Sequence, residues 1–368
     1  MTFLNKVTNS LSGFYQPEKF AKVLSLALAS GRHLVVYGPA GHGKSEMTQT
    51  ALKGLDPFVL SFGEGMTEDK IYGGIDFAAM NRADSPVLQF NAQHSFLAHS
   101  IAVFEELFDA PSNVLLSLKD TLAAKALRAG HQQVASKVKT IVALTNKSPS
   151  EMSELGPSVQ ALTERFPLQY EMRWANYDSN AYRQMLAAEK SWAEAGIVES
   201  DLDEVRENCG RVEIGEDMMD AYATVLGTAA DSGRLVSPRI ARAGLDVIKA
   251  SAAINARSYV EVEDLAEVTY LGIDVGDYVD TIERRKRTRE ARESLSALEE
   301  QLTALKGALA SASTPIPALQ VGKAAKEIAN RAKALAVTDD LVRARENIEA
   351  GANVVAKAAV ELATSLTR

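Results

Sequence analysis

Apolar residues follow two rhythms along this chain. In the first half they come as short unbroken runs. Leu34-Val35-Val36-Tyr37, Ile101-Ala102-Val103-Phe104 and Ile141-Val142-Ala143-Leu144 show no polar alternation. Such runs predict strands buried on both faces, as in a parallel sheet. Glu46 to Leu52, shortly after the first run, reads as a helix.

In the last quarter the rhythm changes. Leu295, Leu298, Leu302, Leu305 and Leu309 step by 3, 4, 3 and 4 residues, the seam of a coiled coil. Ser311 to Pro317 is expected to break that helix, with two prolines close together. A helical pattern resumes near Ala318 and runs to about Ala336. Thr338-Asp339-Asp340 reads as a cap for a last helix, with Leu341, Ala344, Ile348, Val355, Ala359 and Leu362 near one face. Residues 285–368 should therefore form an antiparallel helical hairpin or a three-helix unit.

A length of 368 residues suggests two or three domains, and a hydrophobic fraction of 46% suffices for real cores. No apolar run is long enough to span a membrane. The start, Met1-Thr2-Phe3-Leu4-Asn5-Lys6, lacks the order of a signal peptide. Cys209 is the one cysteine, which leaves no disulfide framework and fits a reducing cytoplasm. A net charge of −8 argues against a general nucleic-acid binder.

That charge is uneven. Residues 284–368 carry 15 Lys and Arg against 10 Asp and Glu, a net of +5. Residues 1–283 carry 25 against 38, a net of −13. The last aromatic is Tyr278, so the stretch beyond it cannot build a thick core. The run Arg284-Arg285-Lys286-Arg287 reads as a solvated helix face, with a partner or nucleic-acid contact as its alternative.

The strongest chemical signal follows the first apolar run. Gly38-Pro39-Ala40-Gly41-His42-Gly43-Lys44-Ser45 is a complete G-x-x-x-x-G-K-[ST] loop between a strand and a helix. The glycines let backbone N–H groups turn around a phosphate, and the helix N-terminus adds positive potential. Lys44 would reach the β- and γ-phosphates and Ser45 would ligate Mg²⁺. Residues Gly38 to Ser45 with the following Glu46 are the candidate ATP-binding set.

The second run ends in Glu105-Glu106. Two carboxylates there can hold the Mg²⁺ shell, through water, and polarise an attacking water. The third run ends in Asn146, which could touch the γ-phosphate or that water. Arg165 follows an expected helix and Arg239 opens another. Each is a candidate for stabilising phosphate charge, because arginine pairs bidentately with phosphate oxygens.

Taken in order, G-P-A-G-H-G-K-S, F-E-E-L-F-D-A-P, T-N, E-R-F and S-P-R resemble an AAA+ ATPase of the MoxR group. The likeness is closest to RavA-like members and spans about Gln16 to Ile273. Leu127-Arg128-Ala129-Gly130, Leu155 to Phe166 and Trp174-Ala175-Asn176-Tyr177 follow the same pattern.

The resemblance implies an α/β AAA+ P-loop core with an all-helical lid. It implies Lys44 and Ser45 as the Walker A lysine and magnesium ligand, and Glu106 as the catalytic Walker B glutamate. Asn146 would be sensor 1, Arg165 the arginine finger toward a neighbouring subunit, and Arg239 sensor 2. It implies a hexameric ring with ATP and Mg²⁺ between subunits, and a partner protein with a von Willebrand A domain. One residue departs from the family: Glu105 stands where Asp is usual. The extra methylene moves the carboxylate by roughly 1.5 Å, so slow hydrolysis or an altered Mg²⁺ requirement is expected.

The expected organisation is a helical segment over 1–30, a large α/β domain over 31–172, a lid over 173–283 and a helical appendage over 284–368. Residues 63–95 resemble the family's helix-2 insertion. Gly63-Glu64-Gly65-Met66 and Tyr72-Gly73-Gly74-Ile75 are expected to be mobile and glycine-rich, pointing to a ring channel, or else to form a stable surface hairpin. His33, His94, His99 and His131 are scattered and suggest no metal site. The leading function is an ATP-driven motor acting on a protein partner. The alternatives are the motor subunit of a magnesium or cobalt chelatase, a DNA-directed AAA+ protein, and a nucleotide-regulated scaffold without turnover.

Overall fold

The computed structural model describes every residue except 83, 85, 173–178, 188–195, 235, 276, 338–340 and 368, and omits the side chains of 181, 184, 187, 277–287 and 289. Trp174 to Tyr177 and Thr338 to Asp340 thus lie outside the described residues, as do the side chains of Arg284 to Arg287. The chain divides into two compact units, Met1–Val275 and Gly276–Arg368.

In the first unit, helices α1 (Phe3–Ser10) and α2 (Glu18–Ser30) lead into strand β1 (Leu34–Tyr37). The phosphate-loop sequence and helix α3 (Lys44–Leu52) follow. Strand β2 (Phe58–Ser61) precedes two short helices, α4 (Glu68–Ile71) and α5 (Phe77–Met80). Next come β3 (Ile101–Glu105), α6 (Ser112–Ala124), the hairpin β4 (Ala126–Ala129) and β5 (Gln132–Ala135), and β6 (Thr140–Thr145). Helices α7 (Pro149–Glu154) and α8 (Pro157–Thr163) lead to β7 (Leu168–Glu171). The remainder is helical: α9 (Ser179–Ala187), α10 (Glu199–Arg211), α11 (Glu216–Asp231), α12 (Pro238–Ile254) and a 3-10 turn over Val262–Leu271.

Five strands form one parallel sheet in the order β2-β3-β6-β1-β7. Every residue of β1 and β6 is buried, as their unbroken apolar runs require. Because all five strands run the same way, their carboxyl ends share one edge of the sheet, where α/β folds hold their ligands. Helices α10 and α12 pack on α2, and ion pairs tie α1 to α10 and α2 to the 3-10 turn. Lys6 Nζ meets Asp201 at 2.6 Å and Lys22 Nζ meets the buried Glu267 at 2.5 Å.

The insertion over 63–95 is built differently from a mobile glycine loop. Tyr72 is fully buried and hydrogen-bonds Thr121 at 2.8 Å. Ile75 and Phe90 form an antiparallel bridge. Gly73 has φ +89°, and a Cβ there would sit 2.2 Å from the Asn91 carbonyl oxygen. This glycine permits close approach rather than motion.

The second unit consists of α13 (Asp277–Ala310), α14 (Pro315–Ala334) and α15 (Val342–Leu366). Leu295, Leu298 and Leu302 are buried against Val321, Ala325, Ile328 and Val355, with Leu305 and Leu309 half-buried beside them. The leucine seam is therefore the core of a three-helix unit. The helix break is shorter than the sequence suggested. Helix α14 starts at Pro315, so both prolines sit in its first turn. There the missing N–H groups have no intrahelical partner to lose.

Candidate nucleotide site

Three strand ends build the site at the carboxyl edge of the sheet. The loop from Gly38 to Gly43 leaves β1 there. Gly38, Gly41 and Gly43 have φ of 150°, 79° and 74°. A Cβ on Gly38 would lie 2.7 Å from the Met172 carbonyl oxygen, whereas one on Gly41 would meet nothing within 4 Å. The loop is thus pinned against the end of β7 on one side and open on the other, which leaves room for phosphates.

Lys44 begins α3 and is 7% exposed. Its ammonium donates to the carbonyls of Gly38 at 2.7 Å and Pro39 at 2.9 Å, and to Asn146 Oδ1 at 2.8 Å. Burial pulls its pKa below the usual lysine value, and Glu106 pulls it partly back. The Asn146 backbone N–H donates to Glu106 Oε2 at 3.1 Å. Lys44, Asn146 and Glu106 therefore form one connected group, although 102 residues separate the first two. Glu106 sits just past β3 with φ 51°, a left-handed conformation costly for a side-chain-bearing residue.

Glu105 is the last residue of β3. Its carboxylate accepts from Ser61 Oγ at 2.8 Å and from Gln49 Nε2 at 3.4 Å. Gln49 lies one turn after Ser45 on α3, so Ser45 and Gln49 share a helix face. Ser45 and Glu105 thus flank the same space. Residues Ala40, His42 and Glu46 complete the loop and first helical turn, with His42 Nδ1 3.2 Å from the Ala40 carbonyl oxygen. An open glycine cradle, a buried ammonium and two carboxylates fit Mg²⁺ and a triphosphate.

The two arginines lie elsewhere. Arg165 follows α8 and precedes β7, at the amino edge of the sheet. Its Nε is buried with no hydrogen-bond partner among the described residues. Arg239, in the first turn of α12, reaches Glu164 Oε2 at 3.5 Å. Both line one cleft with Arg32, Lys125 and Lys139. The structure thus joins Lys44, Glu105, Glu106 and Asn146 at one edge and Arg165 with Arg239 at the other.

Sequence reading missed Ser61, Gln49 and the ion pair of Lys147 with Asp109. Ser61 ends an apolar run, Phe58 to Leu60, whose aromatic and β-branched residues are the signal that could have marked a strand. Its pairing opposite Glu105 comes only from sheet register.

Residues 2–207 match a family described as the MoxR domain in the MoxR-vWA-beta-propeller ternary systems. The chain belongs to the MoxR family of AAA+ ATPases. The match covers every candidate site residue except Arg239. The fold agrees with a solved structure, that of a candidate ATPase from Cytophaga hutchinsonii ATCC 33406. It superposes with a TM-score of 0.57 at 18% identity, over 75% of this chain and 87% of that one. No curated protein matches the chain. In this MoxR chain no described helix is long and apolar enough to cross a membrane.

Proposed function

We propose that this MoxR chain hydrolyses ATP in a ring, with a hexamer as the expected form, and uses the cycle to remodel or assemble a protein partner, as RavA-like members do. In this reading residues 1–30, 31–172, 173–283 and 284–368 act as leading helices, α/β core, lid and appendage. The loop from Gly38 to Glu46 cradles the phosphates. Ser45 and Glu105 would hold Mg²⁺, which supplies charge neutralisation at the β- and γ-oxygens when bound. Glu106 orients water and takes its proton as the water oxygen bonds to the γ-phosphorus and the bond to the ADP oxygen breaks. Asn146 holds the Lys44 ammonium and, through its backbone, the Glu106 carboxylate.

The observation that carries the ring is the placing of Arg165 and Arg239. They stand at the sheet edge opposite their own phosphate loop, and the buried Nε of Arg165 has no hydrogen-bond partner among the described residues. Arginines so placed serve catalysis when an adjoining copy brings its nucleotide to them. The family's description supports a von Willebrand A domain protein as partner.

The test is a mixing experiment. Arg165→Ala chains should bind ATP and assemble yet hydrolyse on the order of 10³-fold more slowly. Lys44→Ala chains should bind ATP poorly. Mixed rings should recover activity, because an intact loop then faces an intact arginine. No recovery in well-mixed assemblies would sink the shared site.

A further inference from the structure

The Glu106 carboxylate takes its hydrogen bond from outside its own loop. The backbone leaves the line of β3 at this residue, with φ 51°, and among the described residues the carboxylate accepts from the Asn146 N–H at 3.1 Å. Where it points therefore depends on how the loop after β6 sits beside the loop after β3. Sheet register holds the two strands together as far as Glu105 opposite Leu144, and it ends before Glu106 and Asn146.

An ion pair bridges the two loops beyond that point. Lys147 Nζ meets Asp109 Oδ1, and both side chains are half-buried. Each partner is also fixed at its backbone. The Asp109 N–H donates to the Glu106 carbonyl at 3.0 Å, closing a tight turn anchored by the buried Leu107 and Phe108. The Lys147 N–H donates to Oγ1 of the buried Thr145 at 3.2 Å, and the adjoining Ser148 caps α7. The contacts close a circuit. It runs from Glu106 to Asn146, along the chain to Lys147, across to Asp109, and back to the Glu106 carbonyl.

A half-exposed ion pair adds little to stability. Its effect on placement is another matter, because a group displaced by about 1 Å from its reacting partner can cost on the order of 10²-fold in rate. We infer that Asp109 and Lys147 are positioning residues for hydrolysis, a staple between the β3 and β6 loops that fixes the Glu106 carboxylate through the Asn146 backbone. The inference rests on Glu106 as the base in the reading above. Neither member of the pair is assigned contact with nucleotide or water. They act through the two residues that are.

The test is steady-state ATP turnover of the full chain with Mg²⁺, beside equilibrium binding of ATP. Lys147→Met and Asp109→Ala should each lower kcat about tenfold and leave ATP affinity within about twofold, because the pair lies outside the phosphate loop. The double variant should lose no more than either single variant, since each already breaks the same staple. Lys147→Arg keeps the charge and should turn over as the wild type does. Wild-type kcat in the single variants, losses that multiply in the double variant, or affinity that falls in step with kcat would overturn the staple. Glu106→Gln, measured beside them, separates the staple from the base. An inactive Glu106→Gln with fully active single variants removes the staple alone. A fully active Glu106→Gln removes the base and the staple together.

Discussion

Ser61 Oγ donates to Glu105 Oε2 at 2.8 Å, across the register that sets Ser61 of β2 beside Glu105 of β3. The longer side chain spans from its strand to the next and also reaches Gln49 of α3. This network gives the extra methylene a use, where the sequence alone suggested a handicap. Glu105→Asp is therefore expected to lower ATP turnover by about tenfold, the worth of one hydrogen bond to a charged group. Ser61→Ala should shift the Mg²⁺ dependence in the same direction. Turnover measured against Mg²⁺ concentration decides the matter, and a faster Glu105→Asp enzyme would restore the handicap.

Glu106 has φ 51° and ψ 37°. Replacing it with Gly or Ala removes the same carboxylate, so hydrolysis should fail in both. Glycine adopts this backbone conformation without the steric cost that alanine bears, so Glu106→Gly should be the more stable by about 1 kcal/mol. Denaturant unfolding of the two variants checks the backbone, and Glu106→Gln, which should keep ATP binding, checks the base.

His33 lies at the amino edge of β1. Burial, then Arg32 and Lys125, lower its pKa to about 4. In the folded chain the neutral ring accepts the Ile141 backbone N–H at Nδ1, at 3.1 Å. The unfolded histidine titrates near 6.5 and so takes up a proton first as the pH falls. This contribution to stability is whole above pH 6.5 and is lost progressively down to about pH 4, by up to about 3 kcal/mol. Unfolding free energies of wild type and His33→Gln across that window should converge at low pH. Parallel curves would remove His33 from the account.

Gly73 and Gly65 stand in the same glycine-rich insertion and should respond differently. Alanine at 73 meets Asn91 backbone at 2.2 Å and a φ of +89°, while alanine at 65 meets nothing within 4 Å. Gly73→Ala is expected to cost about 3 kcal/mol and Gly65→Ala less than about 0.5 kcal/mol. Similar melting temperatures for the two would restore the picture of a loose loop.

The C-terminal unit offers an independent check on the leucine seam. Leu298 is 3% exposed in the core of α13, α14 and α15. Leu298→Asp should cost at least about 3 kcal/mol there, by burying a charge. Nucleotide affinity, carried by Met1–Val275, should stay at the wild-type value. Loss of both would show that the appendage supports the nucleotide unit.

The sequence by itself determined what local pattern can determine. Leu34 to Tyr37 and Thr140 to Thr145 had to be buried strands, because an unbroken apolar run has no face to give to water. The phosphate loop was legible because its glycines, lysine and serine act within one turn of chain. The leucine seam was legible for the same reason, since helical neighbours lie three and four residues apart. Tertiary structure decided every relation made through sheet order. Which strands flank β1 brought Asn146 onto Lys44, and register brought Ser61 to Glu105. Arg165 fell at the opposite edge because β7 runs parallel to β1 and its preceding loop must therefore lie at the far end, and the packing of α12 brought Arg239 to the same cleft. The sequence left the segment around Gly73 open between a mobile loop and a stable hairpin, and the Asn91 carbonyl packed against Gly73 is a tertiary contact. Such relations depend on which distant segments meet, and spacing along the chain does not encode that.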